Sequence, residues 1–290
     1  MRRIFGRLTV AGVGLIGGSL ARAARDAGLA AEVVGFGRTD ANLRVAMERG
    51  LVDRVTQDPA EAAAGADAIV LATPIGACVA IAEAFRPHAG PGTLLTDVGS
   101  VKASLLTALE AVWSGVGPVV GAHPIAGSEA SGAASARADL FRGHRCILTP
   151  TATTDRPALA RVRALWEGVG ARVEEMTPAL HDELLARVSH APHLVAYALA
   201  RAVGEFTAGG RRAIDYAGSG LRDTTRIAGS PAGLWRDVAL ANAPAIRAAL
   251  AELRAVLDEV EELIASRDGT SLEATLAAGR EIRRRLGRSD

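Results

Sequence analysis

The sequence predicts an α/β fold, with an N-terminal doubly wound, mainly parallel sheet followed by an all-helical C-terminal domain. Three observations lead there. Short continuous apolar runs alternate with helix-length segments through residues 1–176, the pattern of strands covered on both faces by crossover helices. The first of these runs leads straight into a glycine-rich turn and then a helical stretch. After Thr177-Pro178 the strand pattern stops.

Taken in order, Arg7–Ala11 is expected as a strand, Leu15–Ala27 as a helix and Glu32–Phe36 as the second strand. Further strands are expected at Ala68–Ala72, Thr93–Asp97, Val119–Ala122 and Arg145–Thr149, each bounded by Gly, Pro or Asp, and at Ala171–Met176. Helices over Ala77–Phe85, Val101–Trp113 and Pro157–Gly168 connect them. From Ala179 onward only helical stretches are expected, broken at Gly209-Gly210, around Gly218–Gly220 and at Pro231. This places domains at 1–176 and 177–290. Within the second, Ile246, Leu250, Leu253, Leu257, Val260 and Ile264 recur at spacings of 4, 3, 4, 3 and 4. Such an a/d stripe suits an ordinary core helix or a subunit seam. The arginines at 280, 283, 284 and 285 read as a solvated terminal helix face.

The chain has 290 residues, 49% hydrophobic, and 33 Lys and Arg nearly balance 32 Asp and Glu for a net charge of +1. That balance argues against nucleic acid or a membrane surface as partner, and no apolar run reaches the length of a membrane span. Met1-Arg2-Arg3 and the apolar stretch after it superficially resemble a signal peptide, but Gly12, Gly14, Gly17 and Gly18 interrupt it. Cys78 and Cys146 lack metal-ligand spacing, so no metal is expected, and two lone thiols suit a reducing cytoplasm.

Gly12-Val13-Gly14-Leu15-Ile16-Gly17 is a G-x-G-x-x-G run between a predicted strand and a predicted helix, the context that a Rossmann-type dinucleotide site requires. Gly12 permits the tight turn, Gly14 the approach of the pyrophosphate, and Gly17 close helix–strand packing. The pyrophosphate is then expected on the free amides at the helix start, with Leu15 and Ile16 in the same site. Thr73 and Pro74, after the Ala68–Ala72 strand, are assigned to the cofactor as well. The end of the second strand reads Gly35-Phe36-Gly37-Arg38-Thr39 and lacks the acidic residue of a usual NAD site. Arg38 and Thr39 favour NADP, while Asp40, one step further on, keeps NAD open.

A second set of residues carries chemistry. Asp97-Val98-Gly99-Ser100-Val101-Lys102 and His123-Pro124-Ile125-Ala126-Gly127-Ser128-Glu129 both follow or end predicted strands, where open α/β sheets face their ligand. Ser189-His190-Ala191-Pro192-His193 sets two histidines three apart. Arg222-Asp223-Thr224-Thr225-Arg226 and Trp235-Arg236-Asp237 gather charge and one aromatic beyond a glycine-rich loop.

Residues 12–21, Gly-Val-Gly-Leu-Ile-Gly-Gly-Ser-Leu-Ala, with Asp-Val-Gly-Ser-Val-Lys, His-Pro-Ile-Ala-Gly-Ser-Glu, Ser-His-x-Pro-His and Arg-Asp-x-Thr-Arg-Ile-Ala, are five motifs that in this order resemble the prephenate/arogenate dehydrogenases of tyrosine biosynthesis, across essentially the whole chain. The resemblance implies oxidative decarboxylation of a substrate with two carboxylates, in a cleft between a nucleotide domain and a helical domain that forms a homodimer. It implies that His123 accepts the substrate hydroxyl proton, a role suited to a group with a reference pKa near 6.5. It further implies that Ser100 orients His123 and the nicotinamide end, that Arg226 pairs with a carboxylate, and that His193 serves the other polar end. Glu129 and Asp223 fall in a charge network around the cleft, and Trp235 closes it.

Each assignment has a plainer counterpart. Ser100 also suits the N-cap of the helix starting at Val101-Lys102, Trp235 a packing anchor, and Arg38 and Arg226 surface arginines; His190 reads as structural. Two other functions fit the same outline. One is another two-domain dehydrogenase, of the β-hydroxyacid or pyrroline-carboxylate reductase type, which is expected to lack His-Pro-x-Ala-Gly. The other is a non-catalytic nucleotide-binding sensor, against which intact His123, Ser100 and Arg226 argue.

Overall fold

The chain begins as strand–helix units. In the computed structural model, which describes residues 3–127 and 130–286, these are β1 (Phe5–Ala11), α1 (Leu15–Asp26), β2 (Ala30–Phe36), α2 (Asp40–Glu48), β3 (Arg54–Thr56), α3 (Pro59–Ala63), β4 (Ala68–Leu71), α4 (Ile75–Phe85), β5 (Leu94–Asp97), α5 (Ala103–Trp113) and β6 (Val119–Pro124). β7 (Arg145–Thr149), α6 (Arg156–Gly168) and β8 (Arg172–Glu175) complete the sheet. Its order is β3-β2-β1-β4-β5-β6-β7-β8. The first six strands in sequence are parallel, as expected, but β7 runs antiparallel to β6 and β8 follows β7.

The continuous apolar runs have the predicted cause. All four residues of β4 are buried, and they alternate between two cores: Ala68 and Val70 pack with Leu8, Val10 and Trp166, whereas Ile69 and Leu71 pack with Phe85, Leu105 and Trp113. Period-two alternation into two apolar layers is what a sheet covered on both faces demands. Strand order reverses between β1 and β4, so the chain leaves their adjacent carboxyl ends in opposite directions and opens a crevice there.

After β8 come α7 (Pro178–Leu185), a π-helical turn (Ala186–His190), α8 (Ala191–Glu205), α9 (Ser219–Thr225), α10 (Ala232–Ala241), α11 (Ala243–Ala265) and α12 (Gly269–Leu286). Thr177 caps α7, its hydroxyl accepting from the Leu180 amide, and Pro178 occupies the first turn, where its missing N–H costs nothing. The expectation of helix alone meets one exception: β9 (Thr207–Ala208) and β10 (Arg211–Arg212) form a small hairpin. Gly209 and Gly210 supply the positive φ of its turn, +56° and +75°.

Spatial compactness divides the chain after Ala243, whereas sheet gives way to helix at Thr177. The second unit contains most of α11 and all of α12. Along the apolar stripe of α11, Ile246 is buried but Leu257 and Ile264 are 56% and 59% exposed. Arg280, Arg283, Arg284 and Arg285 are exposed on α12, and Arg284 and Arg285 both reach Glu281.

Candidate active site

The glycine-rich turn joins β1 to α1 on one side of the strand-order reversal, and Thr73-Pro74 leaves β4 on the other. Gly12 has φ +96°, and a Cβ there would meet the Ala72 carbonyl oxygen at 2.5 Å and Thr73 Cγ2 at 2.9 Å. A Cβ on Gly17 would lie 2.1 Å from the Gly12 carbonyl oxygen. At Gly14 the same construction meets nothing within 4 Å. Two glycines are therefore required by the protein's own packing, and the middle one opens onto free space. Gly14 also stands at the N-cap of α1 without a side-chain cap, so the first-turn amides face the crevice with their donors available to an anion. This cradle fits a dinucleotide pyrophosphate.

Asn42, on α2, was not singled out from the sequence. Its Nδ2 donates to the Val13 carbonyl at 2.8 Å while its Oδ1 accepts from the Ala133 amide at 2.8 Å. One amide thus ties the glycine-rich turn to the segment after His123. The same segment approaches the turn at Gly127, whose Cβ position is 3.7 Å from Ile16 Cδ1. At the end of β2, Arg38 is exposed with no ion pair among the described residues. Thr39 caps α2 only through its backbone, leaving its hydroxyl uncommitted as a cap. Asp40 is engaged instead by the Gln57 amide.

Further along the sheet, Asp97 ends β5 and His123 lies in β6. Lys102 and Asp97 form a fully buried ion pair, and Lys102 Nζ also donates to the Ala122 carbonyl at 2.8 Å. Asp97 further accepts from the Gly99 amide at 2.7 Å. Removal of either partner would strand a charge in the core, so the pair locks the Ser100 loop against the strand that carries His123.

His123 belongs to a chain of three side chains. Its Nδ1 is 2.8 Å from Nε2 of His181, whose Nδ1 is 2.8 Å from Oδ1 of Asp182. The carboxylate of Asp182 also accepts from the amides of Lys102 (2.7 Å) and Ala103 (2.8 Å), the first turn of α5. Ser100 is therefore not the cap of that helix: α5 starts at Ala103, Lys102 holds the N-cap position, and Asp182 from α7 caps it across space. Burial works to raise the Asp182 pKa, but His181 and the two amides outweigh it and hold the carboxyl low.

The tautomers follow from these partners. Ionised Asp182 can only accept, so His181 donates from Nδ1 and presents Nε2 as an acceptor. His123 must then donate from Nδ1, which leaves its Nε2 lone pair free. Burial, and next the adjacent His181 and Lys102, push the His123 pKa well below 6.5. Burial likewise lowers that of His181, against the pull of Asp182. Neutral His123 is thus oriented as a proton acceptor. His181 and Asp182 were missed in the sequence because no motif surrounds them.

The helical segment supplies the remaining candidates. Pro192 does not break the helix, since a π-helical turn precedes it and absorbs the missing donor. His193 Nδ1 bonds the Ser189 carbonyl at 2.9 Å, and its ring stacks on Trp235 at 3.6 Å with a 20° interplanar angle. Trp235 also packs on the second core cluster, as a packing anchor does. Asp223, on α9, and Arg226, just after it, are exposed, and their segments pack against α8, which carries His193. Glu129 lies outside the described residues. Both cysteines are free and buried.

Comparison with known proteins agrees with this geometry. The family profile for the prephenate dehydrogenase nucleotide-binding domain matches residues 20–175, and that for the dimerization domain matches residues 177–278. A cyclohexadienyl dehydrogenase of Zymomonas mobilis is 35% identical over 270 residues, which is 93% of this chain and 92% of that protein. The crystal structure of prephenate dehydrogenase from A. aeolicus, in complex with hydroxyphenyl propionate and NAD+, superposes with a TM-score of 0.92 at 31% identity, covering 99% of both chains. Synechocystis arogenate dehydrogenase gives a TM-score of 0.82 at 34% identity, over 97% of this chain and 99% of that one. The chain belongs to the prephenate dehydrogenase family of nicotinamide-dependent oxidoreductases.

Proposed function

We propose that this enzyme oxidatively decarboxylates prephenate, arogenate or both, to 4-hydroxyphenylpyruvate or tyrosine, and that the Asp182–His181–His123 chain makes His123 its general base. That chain of two 2.8 Å bonds is the observation that carries the reading. Bound nicotinamide supplies the hydride acceptor. His123 Nε2 takes the 4-hydroxyl proton as hydride leaves C4, and its lowered pKa keeps it unprotonated at neutral pH. The ring carboxylate then departs as CO2, drawn by aromatisation.

In this reading Ser100 orients His123 and the nicotinamide end. Arg226 holds a substrate carboxylate through its guanidinium fork, and His193 meets the opposite polar end, supported from behind by Trp235. Asp223 and Glu129 balance charge around the cleft. The pyrophosphate rests on the first-turn amides of Leu15 and Ile16, beside the open space at Gly14, with Thr73 and Pro74 across the crevice. Arg38 and Thr39 select NADP over NAD, because Asp40, which would favour a ribose hydroxyl, is occupied by Gln57.

The functional division falls at 176/177, with nucleotide binding before it and substrate binding and dimerisation after it. The exposed stripe of Leu257 and Ile264 supports a homodimer through the helical region. No described helix is long and apolar enough to cross a membrane, and we assign the enzyme to the cytoplasm. The test is to incubate pure protein with prephenate and with arogenate, each with NAD and with NADP, and to follow reduced nicotinamide by absorbance. Absence of reduction in all four mixtures overturns the reading.

A further inference from the structure

Tyr197 lies on α8 one turn after His193, so the two side chains share a face of that helix. Its hydroxyl donates to the main-chain carbonyl of Ser230. Ser230 closes the 3-10 turn Arg226–Gly229, its amide donating to the Ile227 carbonyl at 3.3 Å. Pro231 follows at the N-cap of α10, and Trp235 ends the first turn of that helix. Ser230 is thus the joint between the turn that starts at Arg226 and the helix that carries Trp235.

This segment therefore meets α8 at two fixed points. At one, the Trp235 ring stacks on His193 at 3.6 Å. At the other, Tyr197 holds Ser230. The circuit is closed: His193 to Tyr197 along α8, across to Ser230, and back through Pro231 to Trp235. Ring stacking leaves freedom to slide, whereas a hydrogen bond to a main-chain oxygen is directional and sets the height of the joint along α8. The turn Arg226–Gly229 also packs against α8. Arg226 has a long, exposed side chain, so the position of this turn sets where its guanidinium can reach.

We propose that Tyr197 is a positioning residue for the substrate, whose hydroxyl fixes the reach from His193 to Arg226 and so the separation of the two polar ends that the site accepts. The inference rests on the proposed reading for the substrate contacts of Arg226 and His193, and on the hydrogen bond alone for the anchoring of the turn. Loss of the hydroxyl should act on substrate binding. It should spare proton transfer, because His123 stands on β6 and its supports His181 and Asp182 on α7.

The experiment compares Tyr197→Phe, which deletes the hydroxyl and keeps the ring, with Arg226→Ala and with the double variant. Tyr197→Phe should raise the substrate KM about three- to tenfold, the range that one hydrogen bond supports. Its kcat and dinucleotide affinity should stay within about twofold of the parent. In the Arg226→Ala background the same substitution should raise KM by less than about twofold, because no guanidinium is left to misplace. Equal factors in the two backgrounds overturn the proposal, as does an unchanged KM in Tyr197→Phe. Hydrogen exchange of the free protein gives a second readout that needs no turnover. Tyr197→Phe should speed amide exchange across residues 226–234, and unchanged exchange there overturns the anchor. That comparison decides the anchoring even if all four substrate and cofactor mixtures prove inactive, so failure of the anchor and failure of the proposed reaction are told apart.

Discussion

Nδ1 of His123 sits 2.8 Å from Nε2 of His181, and this single bond determines which nitrogen of His123 can accept a proton. His181→Leu should therefore lower kcat by roughly ten- to a thousandfold, less than loss of His123 itself, because the base remains but its tautomer is no longer enforced. His181→Gln, which offers an accepting oxygen toward His123, should recover part of the loss. KM for the cofactor should change little in either. Steady-state kinetics check both variants, and an unaltered kcat in His181→Leu removes the chain from the mechanism.

Burial, His181 and Lys102 all lower the His123 pKa, and each favours the neutral, accepting form. The proposed reaction needs that form, so kcat/KM should be lost as pH falls through the lowered pKa. The acid limb should have its midpoint below 6.5, the ordinary histidine value. A pH profile of kcat/KM checks this, and a midpoint at or above that value contradicts the assignment. Lys102→Met would remove a cation that opposes protonation, but it would also strand Asp97 in the core, so the parent profile is the cleaner measurement.

His190 makes stability itself pH-dependent. The unfolded chain protonates this ring near 6.5 and the folded chain only near about 4. The unfolded state therefore binds more protons between those values, and folding stability falls as pH falls through that window. From about pH 6.5 to about pH 5 the loss from this group is about 1.6 kcal/mol. Denaturant unfolding at the two pH values should show a smaller difference in His190→Gln than in the parent. Equal differences would mean that His190 is not held neutral by its surroundings.

The sheet could be read from the sequence because β4 is an uninterrupted apolar run, buried throughout, and β5 opens on two buried leucines. β3 could not, since Arg54–Thr56 is three residues long with an exposed arginine and leaves no periodic signal. The reversal of β7 was equally hidden, because a buried strand carries the same apolar pattern in either direction. His123, His193 and Trp235 stood inside motifs, but His181, Asp182 and Tyr197 did not. A usable signal existed for the first two. The Thr177-Pro178 cap sets the phase of α7, which puts His181 and Leu185 one turn apart on its inner face, and both are buried. What remained invisible was that α5 begins with no capping side chain of its own and borrows Asp182 from another helix.

The three glycines of the nucleotide turn should separate by experiment. Gly17→Ala forces a carbon to 2.1 Å from the Gly12 carbonyl oxygen and 2.8 Å from Ala72 Cβ, so the fold itself must give way. Thermal unfolding should move to clearly lower temperature. Gly14→Ala meets nothing within 4 Å and should leave the melting temperature of the free protein nearly unchanged. Its cost should appear as weaker dinucleotide affinity, about tenfold or more, because the added methyl occupies the space where the pyrophosphate meets the backbone. Calorimetry with NAD and NADP reads the second effect, and equal affinity in parent and Gly14→Ala would move the pyrophosphate elsewhere.

In the proposed reading, cofactor choice turns on Arg38 and Thr39, just after β2. Arg38 extends into solvent without a carboxylate partner among the described residues, and Asp40 is drawn to Gln57. A free guanidinium beside an open Thr39 hydroxyl meets a 2′-phosphate well, through charge-assisted hydrogen bonds that a 2′-hydroxyl cannot match. Arg38→Ala should weaken NADP by about tenfold, the equivalent of about 1.4 kcal/mol, with little effect on NAD. Gln57→Leu should act on the other side of the balance, releasing Asp40 to accept from a ribose hydroxyl and improving NAD binding. Dissociation constants for both dinucleotides in the parent and the two variants check this. If Arg38→Ala weakens NAD and NADP alike, the arginine serves a group common to both, and the selection lies elsewhere in the loop.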